Sequence, residues 1–241
     1  MTGRGAGKTF PEAKAEWERR AREALGGPVR FAVARAPLSR SALTTGERRR
    51  LAEIRHPGRR RDWLRGRRAL KELLRSLGLP EDTSRIDFPH PRLSLAHSAG
   101  WAVAAGWDGK AEPAGLGVDF EGHRPLRAGA SRFFLNREER GARGGKGLLR
   151  LWTVKEALFK SDPGNADPAP GRSSLRRYVL ERPFSASSGG ARRADAPAPL
   201  RFRYFSLELR EGFLAMALCR AGRTTDRTYR RRAASRAQAS A

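Results

Sequence analysis

Residues 117–121 (GVDFE) and 152–160 (WTVKEALFK) decide how this chain reads. As a strand, the first segment alternates sides at every residue, which places Asp119 and Glu121 on one face. Two carboxylates that close repel each other unless a cation lies between them, and hard divalent ions take such oxygen ligands. As a helix, the second segment puts Glu156 and Lys160 four residues apart on one face, so that an acid and an ammonium meet the same ligand. Three acids and two lysines, Lys155 and Lys160, in this order match a site that holds a divalent metal against a phosphate.

Outward from these segments, strands are expected at 116–120, near 176–180, at 201–209 and at 213–220, the last two forming a hairpin at Glu211-Gly212. Helices are expected near 131–140 and from about 154 to 160. The first half repeats this order. A strand at 29–36 precedes helices at about 45–54, where threonines suit capping, and at about 60–77, closed by Gly78 and Pro80. Strands at 92–96 and 101–107 follow, joined by a turn at 98–100. Two β-α-α-β-β units predict a duplicated α+β fold of two pseudo-symmetric subdomains with a ligand cleft between them. The expected boundaries are a leader at 1–27 containing a short helix around 12–25, subdomains at 28–113 and 114–223, a mobile loop at about 161–199 and a disordered basic tail at 224–241.

Fifty Lys and Arg against 25 Asp and Glu give a net charge of +25, so the preferred partners are anionic. Charge alone does not choose among nucleic acid, membrane surface, polyphosphate and acidic protein. The excess is almost all arginine in a chain rich in Ala, Gly and Pro, which a coding bias also produces. The single cysteine, Cys219, excludes an internal disulfide, fits a reducing compartment and follows an apolar run that suits a buried structural thiol. Without an apolar signal segment or membrane-length run, the expectation is a cytoplasmic protein that does not engage membranes. Gly7-Lys8-Thr9 imitates the end of a phosphate-binding loop, but Thr2 stands where the first glycine belongs.

Together, the two opening segments resemble the surfactin-type branch of the 4′-phosphopantetheinyl transferase superfamily, with its Gly-Ile/Val-Asp-x-Glu strand and Trp-x-x-Lys-Glu-Ala-x-x-Lys helix. Three further stretches match in the family's order: 62–73 (DWLRGRRALKEL), 93–98 (LSLAHS) and 133–138 (FFLNRE). The resemblance implies a single-chain pseudo-dimer, hence a monomer. It also implies Mg²⁺-dependent transfer of 4′-phosphopantetheine from coenzyme A to a serine of an acidic apo carrier protein in fatty-acid, polyketide or nonribosomal-peptide synthesis.

The same resemblance implies Asp119, Glu121 and Glu156 as Mg²⁺ ligands, Lys160 on the pyrophosphate with Lys155 assisting, and Glu156 or Glu138 as the base. His97, Arg61 and Arg67 would meet the nucleotide end of coenzyme A. Two departures stand out: Ala96 where the family has Ser, and His90-Pro91 where many members have Lys-Pro. Each residue also has a plainer reading. Asp119 and Glu121 alone would be a solvated edge pair, Thr153 and Glu156 fit a capping box, and Glu138 fits a solvent-facing acid. His97 and any one arginine fit structural or surface roles. The rival function is a basic nucleic-acid-binding protein, although no zinc-finger spacing or RNA-recognition signature supports it, and a family member that has lost activity is a third reading.

Overall fold

The computed structural model describes residues 10–139, 145–165, 175–181, 187–195 and 200–220. In chain order these form α1 (Phe10–Leu25), β1 (Val29–Ala34), α2 (Thr45–Glu53), α3 (Pro57–Ser76), β2 (Leu93–Ser98), β3 (Trp101–Trp107) and β4 (Gly115–Gly122). There follow α4 (Ser131–Phe134), α5 (Gly145–Ser161), β5 (Tyr178–Leu180), β6 (Ser188–Arg193), β7 (Arg201–Glu208) and β8 (Gly212–Arg220). The fold is α+β, with two antiparallel sheets ordered β1-β3-β2 and β4-β8-β7-β6-β5.

The order β1-β3-β2 recurs as β4-β8-β7, so the two halves share one topology and the second carries β6 and β5 as an extension. Each half covers one face of its sheet with its long helix. Leu70, Leu73 and Leu74 of α3 pack on Ala32, Ala102 and Ala104, and Val154, Ala157 and Leu158 of α5 pack on Ala215 and Ala217. Small residues on the strands let the helices lie close. The two remaining faces share a core in which Phe31 and Val103 of the first sheet join Val118, Phe120, Met216 and Leu218 of the second.

The sheets meet at β2 and β4, which run side by side. Ser94 Oγ accepts from the Val118 amide at 2.9 Å and Ser98 Oγ from the Gly122 amide at 3.3 Å, each pairing 24 residues apart. Side-chain hydroxyls thus satisfy edge amides that a backbone ladder would otherwise have to serve.

Several expectations need correction. Residues 10–25 are not a leader: Phe10, Trp17, Ala21 and Leu25 recur along one side of α1 and are buried in the shared core. The expected helix at 131–140 stops at Phe134. There the Asn136 side chain accepts from the Glu139 amide at 3.0 Å while Glu139 accepts from the Asn136 amide at 3.1 Å, a local ring that competes with helix. Helix α5 starts at Gly145, not near 154, so Thr153 lies mid-helix and its hydroxyl donates to the Leu149 carbonyl at 2.8 Å; it caps nothing.

Within the expected mobile loop, β6 extends the sheet as Ser188–Arg193 (SGGARR), a segment without apolar alternation that is held by backbone pairing to β7. The expected tail, the imitation phosphate loop and parts of the 161–199 segment lie outside the described residues. The expected capping threonines are real: Thr44 and Glu47 form a reciprocal box at the start of α2. Gly78, at φ +67°, ends α3 as expected, the amide of Leu79 reaching back to the Leu74 carbonyl.

Candidate active site

Helix α5 lies directly on β4 because two strand positions are glycine. A Cβ on Gly117 would sit 2.0 Å from the Ala157 carbonyl oxygen and 2.6 Å from the Ser161 amide, and one on Gly115 would sit 2.2 Å from the Ser161 carbonyl oxygen. This backbone contact brings the end of α5 over the acids of β4. Lys160 Nζ donates to Asp119 Oδ1 at 2.7 Å and to the Val118 carbonyl at 3.3 Å. Asp119 is buried, and its other oxygen, Oδ2, has no hydrogen-bond partner among the described residues. Burial pushes the Asp119 carboxyl up, against the opposing pull of Lys160.

Glu156 stands beside this pair. Burial first, and then the negative charges of Asp119 and Glu121, push its carboxyl up to about 7 against the pull of Lys160. Its neutral form is therefore favoured by folding: that contribution to stability is complete below the ordinary 4.5 and is lost as pH rises through about 7. Glu156→Gln is expected to stabilise the ligand-free protein by about 3 kcal/mol at pH 8 and by about 1 kcal/mol at pH 5. Thermal unfolding at the two pH values measures this; an equal shift at both would contradict the burial of an ionisable Glu156.

Glu121 occupies a different environment. Trp152 Nε1 donates to its Oε1 at 3.0 Å, while Ser98 Oγ and Arg124 Nη2 each reach its Oε2 at 3.1 Å. Among the described residues, no group of three or more His, Cys, Asp or Glu side chains is arranged to hold a metal ion. Asp119 and Glu156 are the pair whose chemistry fits one. Oδ2, buried and unpartnered among the described residues, keeps its lone pairs for a ligand, and Mg²⁺ is commonly held by one or two carboxylates together with phosphate oxygens and water. Glu121, bound by three donors, anchors Trp152 and the Ser98 strand end to β4.

Next to that strand end lies a second feature. A cleft of about 620 Å³ opens between the start of α3 and β2, lined by His56, Arg59, Trp63, Arg67, Leu95 and His97 among others. Alternation on β2 separates two jobs: Leu95 and His97 face the cleft, while Ser94, Ala96 and Ser98 face β4 and the core. Ala96, 1% exposed, is on the core side, so its departure from the family pattern does not touch the cleft. Arg67 is buried, stacks 4.7 Å over the Trp63 ring and donates to the Thr83 carbonyl at 3.2 Å, while its Nε has no partner among the described residues. Basic groups over an aromatic face suit a phosphorylated nucleotide.

The remaining expected residues go elsewhere. Arg61 is exposed and does not line the cleft: Arg59, Trp63 and Arg67 are spaced four apart on one helical face, and Arg61 is turned away from them. That spacing, counted back from Trp63, was the signal for Arg59. Lys155 is fully buried, its ammonium donating to the Phe134 carbonyl at 2.7 Å and paired with Glu139, so it anchors the segment after α4 and does not face a ligand. Glu138 is exposed at the surface, while its neighbour Glu139 makes that ion pair. Gly66 accommodates the Leu95 side chain, which a Cβ would meet at 3.0 Å. His90 accepts from the Arg92 and Leu93 amides, each at 3.1 Å, and so caps the entry to β2.

Comparison with protein-family models and with curated proteins finds no match to this chain. No helix among the described residues is long and apolar enough to cross a membrane.

Proposed function

We propose that the chain is a Mg²⁺-dependent 4′-phosphopantetheinyl transferase of the surfactin type, acting on coenzyme A and an acidic apo carrier protein. The observation that carries this reading is the assembly of Asp119, Glu156 and Lys160 by the seating of α5 on the β4 glycines, beside a basic cleft. Bound at Asp119 and Glu156, Mg²⁺ would neutralise charge on the pyrophosphate. Arg59, Arg67, Trp63 and His97 of the cleft receive the nucleotide end of coenzyme A, with the ring of Trp63 and the guanidinium of Arg67 already stacked. Lys160, 30% exposed at its side chain, can swing from Asp119 to a pyrophosphate oxygen without crossing a packed core.

In the transfer, the carrier serine oxygen forms a new bond to the phosphorus that bears pantetheine. The bridging phosphorus–oxygen bond breaks, and adenosine 3′,5′-bisphosphate leaves. Glu156 serves either as second ligand or as acceptor of the serine proton, and both roles require its ionised form. A group near neutrality is matched to the second task. Glu138, exposed at the surface and apart from the Asp119, Glu156 and Lys160 group, is the weaker choice of base.

Incubation with coenzyme A, Mg²⁺ and several apo carrier proteins is expected to add the phosphopantetheine arm, read by intact-mass spectrometry. Unmodified carriers throughout would reject transferase activity.

A further inference from the structure

Three exposed arginines lie in direct register across the extended sheet: Arg192 of β6 faces Arg201 of β7, which faces Arg220 of β8. Directly opposed residues project to the same side, so the three guanidinium groups form a row about 10 Å long across strands spaced by about 4.8 Å. Arg203 adds a fourth on that side. It converges with Arg220 at the end of α1, where a Cβ on Gly26 would lie 2.8 Å from Arg220 Nη2 and 3.0 Å from Arg203 Nη1. Opposed like charges destabilise a sheet. Elsewhere many arginines have acids beside them, such as Arg19 with Glu23, Arg30 with Asp108 and Arg75 with Glu81. Among the described residues, none of these four makes an ion pair. Arg220 is anchored by the Leu25 and Gly26 carbonyls at the end of α1, whereas Arg192, Arg201 and Arg203 have no side-chain hydrogen-bond partner among the described residues.

We infer that this arginine face is a docking surface for the phosphate backbone of a nucleic acid. Its position separates it from the transfer site. It continues the sheet face covered by α1, opposite the face covered by α5, and Arg220 lies five residues, about 16 Å, along β8 from Ala215, the partner of Asp119. Its composition selects the partner. The exposed large apolar residues among those described, Leu79, Phe88 and Phe133, are not on these strands, so the face lacks the anchors of a protein interface or of a membrane-inserting surface. Rigid guanidinium groups without exposed large apolar neighbours among the described residues suit a repeating phosphate diester, read by charge and not by sequence.

The test uses the full chain and a fluorescein-labelled DNA duplex of about 20 base pairs, followed by anisotropy from roughly 50 to 200 mM salt. Arg192→Gln/Arg201→Gln/Arg203→Gln should bind about tenfold or more weakly and flatten the logarithmic salt slope by about 2 to 3. A control triple of exposed arginines, Arg40→Gln/Arg49→Gln/Arg85→Gln, has the same net charge and should stay within about twofold of the unmodified protein. Equal losses in the two triples would show that net charge alone is responsible, and would overturn the proposal. Failure to bind the duplex, with or without capture by phosphatidylserine vesicles, would overturn it as well. If the first triple does not fold, Arg201→Gln alone should still reduce the slope by about 0.9.

Discussion

Asp119→Asn is expected to reduce phosphopantetheine transfer by roughly 10³-fold, about 4 kcal/mol of transition-state stabilisation. The substitution keeps the volume of a buried side chain and removes the charge that Lys160 and a bound cation share. It should leave the fold in place. Burial already disfavours the Asp119 carboxylate, so loss of that charge relieves a desolvation penalty. Lys160 loses its charged partner but keeps the Val118 carbonyl, is part-exposed and can be hydrated. Transfer rates measured across a Mg²⁺ titration, beside thermal unfolding, distinguish the outcomes. An unchanged rate at limiting Mg²⁺ would remove Asp119 from the ligand set, whereas a collapsed melting transition would assign it a structural role.

Gly117→Ala makes a single methyl group into a severe perturbation. Its Cβ would stand 2.0 Å from a backbone oxygen of α5 and 2.6 Å from a backbone nitrogen, so relief requires movement of the helix and not of a flexible side chain. We expect a loss of about 3 kcal/mol or more in stability. The folded fraction should lose transfer activity too, because movement of α5 carries Glu156 and Lys160 away from Asp119. Denaturant unfolding and a transfer assay on the folded fraction measure the two effects. A variant with unchanged stability and rate would show that the closeness of helix and strand does not position the site.

The repeat of strand, two helices and two strands was legible because each long helix shows a recurrent apolar face and the hairpins end in turn residues. The sides that Asp119 and Lys160 take on their own elements were legible, because strand alternation and helical spacing are local rules, but their pairing was not: it comes from the seating of α5 on β4. Strand β6 was not legible, since Gly189 and Gly190 bury little and the segment owes its conformation to the neighbouring edge of β7. Helix α1 was underestimated because the burial of Phe10 and Trp17 depends on two sheets remote from them in the chain. Lys155 and Glu121 show the same limit within the site: their positions followed the motif, but Glu139, the partner of one, and Ser98 and Trp152, partners of the other, come from other segments.

Local sequence by itself determined most of the strands and the long helices of the two halves and which side of each its acids and lysines occupy, since those follow from backbone periodicity within a few residues. Only the tertiary structure decided which of these charges are available to a ligand. Availability depends on desolvation and on partners brought from distant segments: it left Asp119 Oδ2 buried without a hydrogen-bond partner among the described residues, tied Glu121 and Lys155 into the framework, and aligned arginines from three strands on one face.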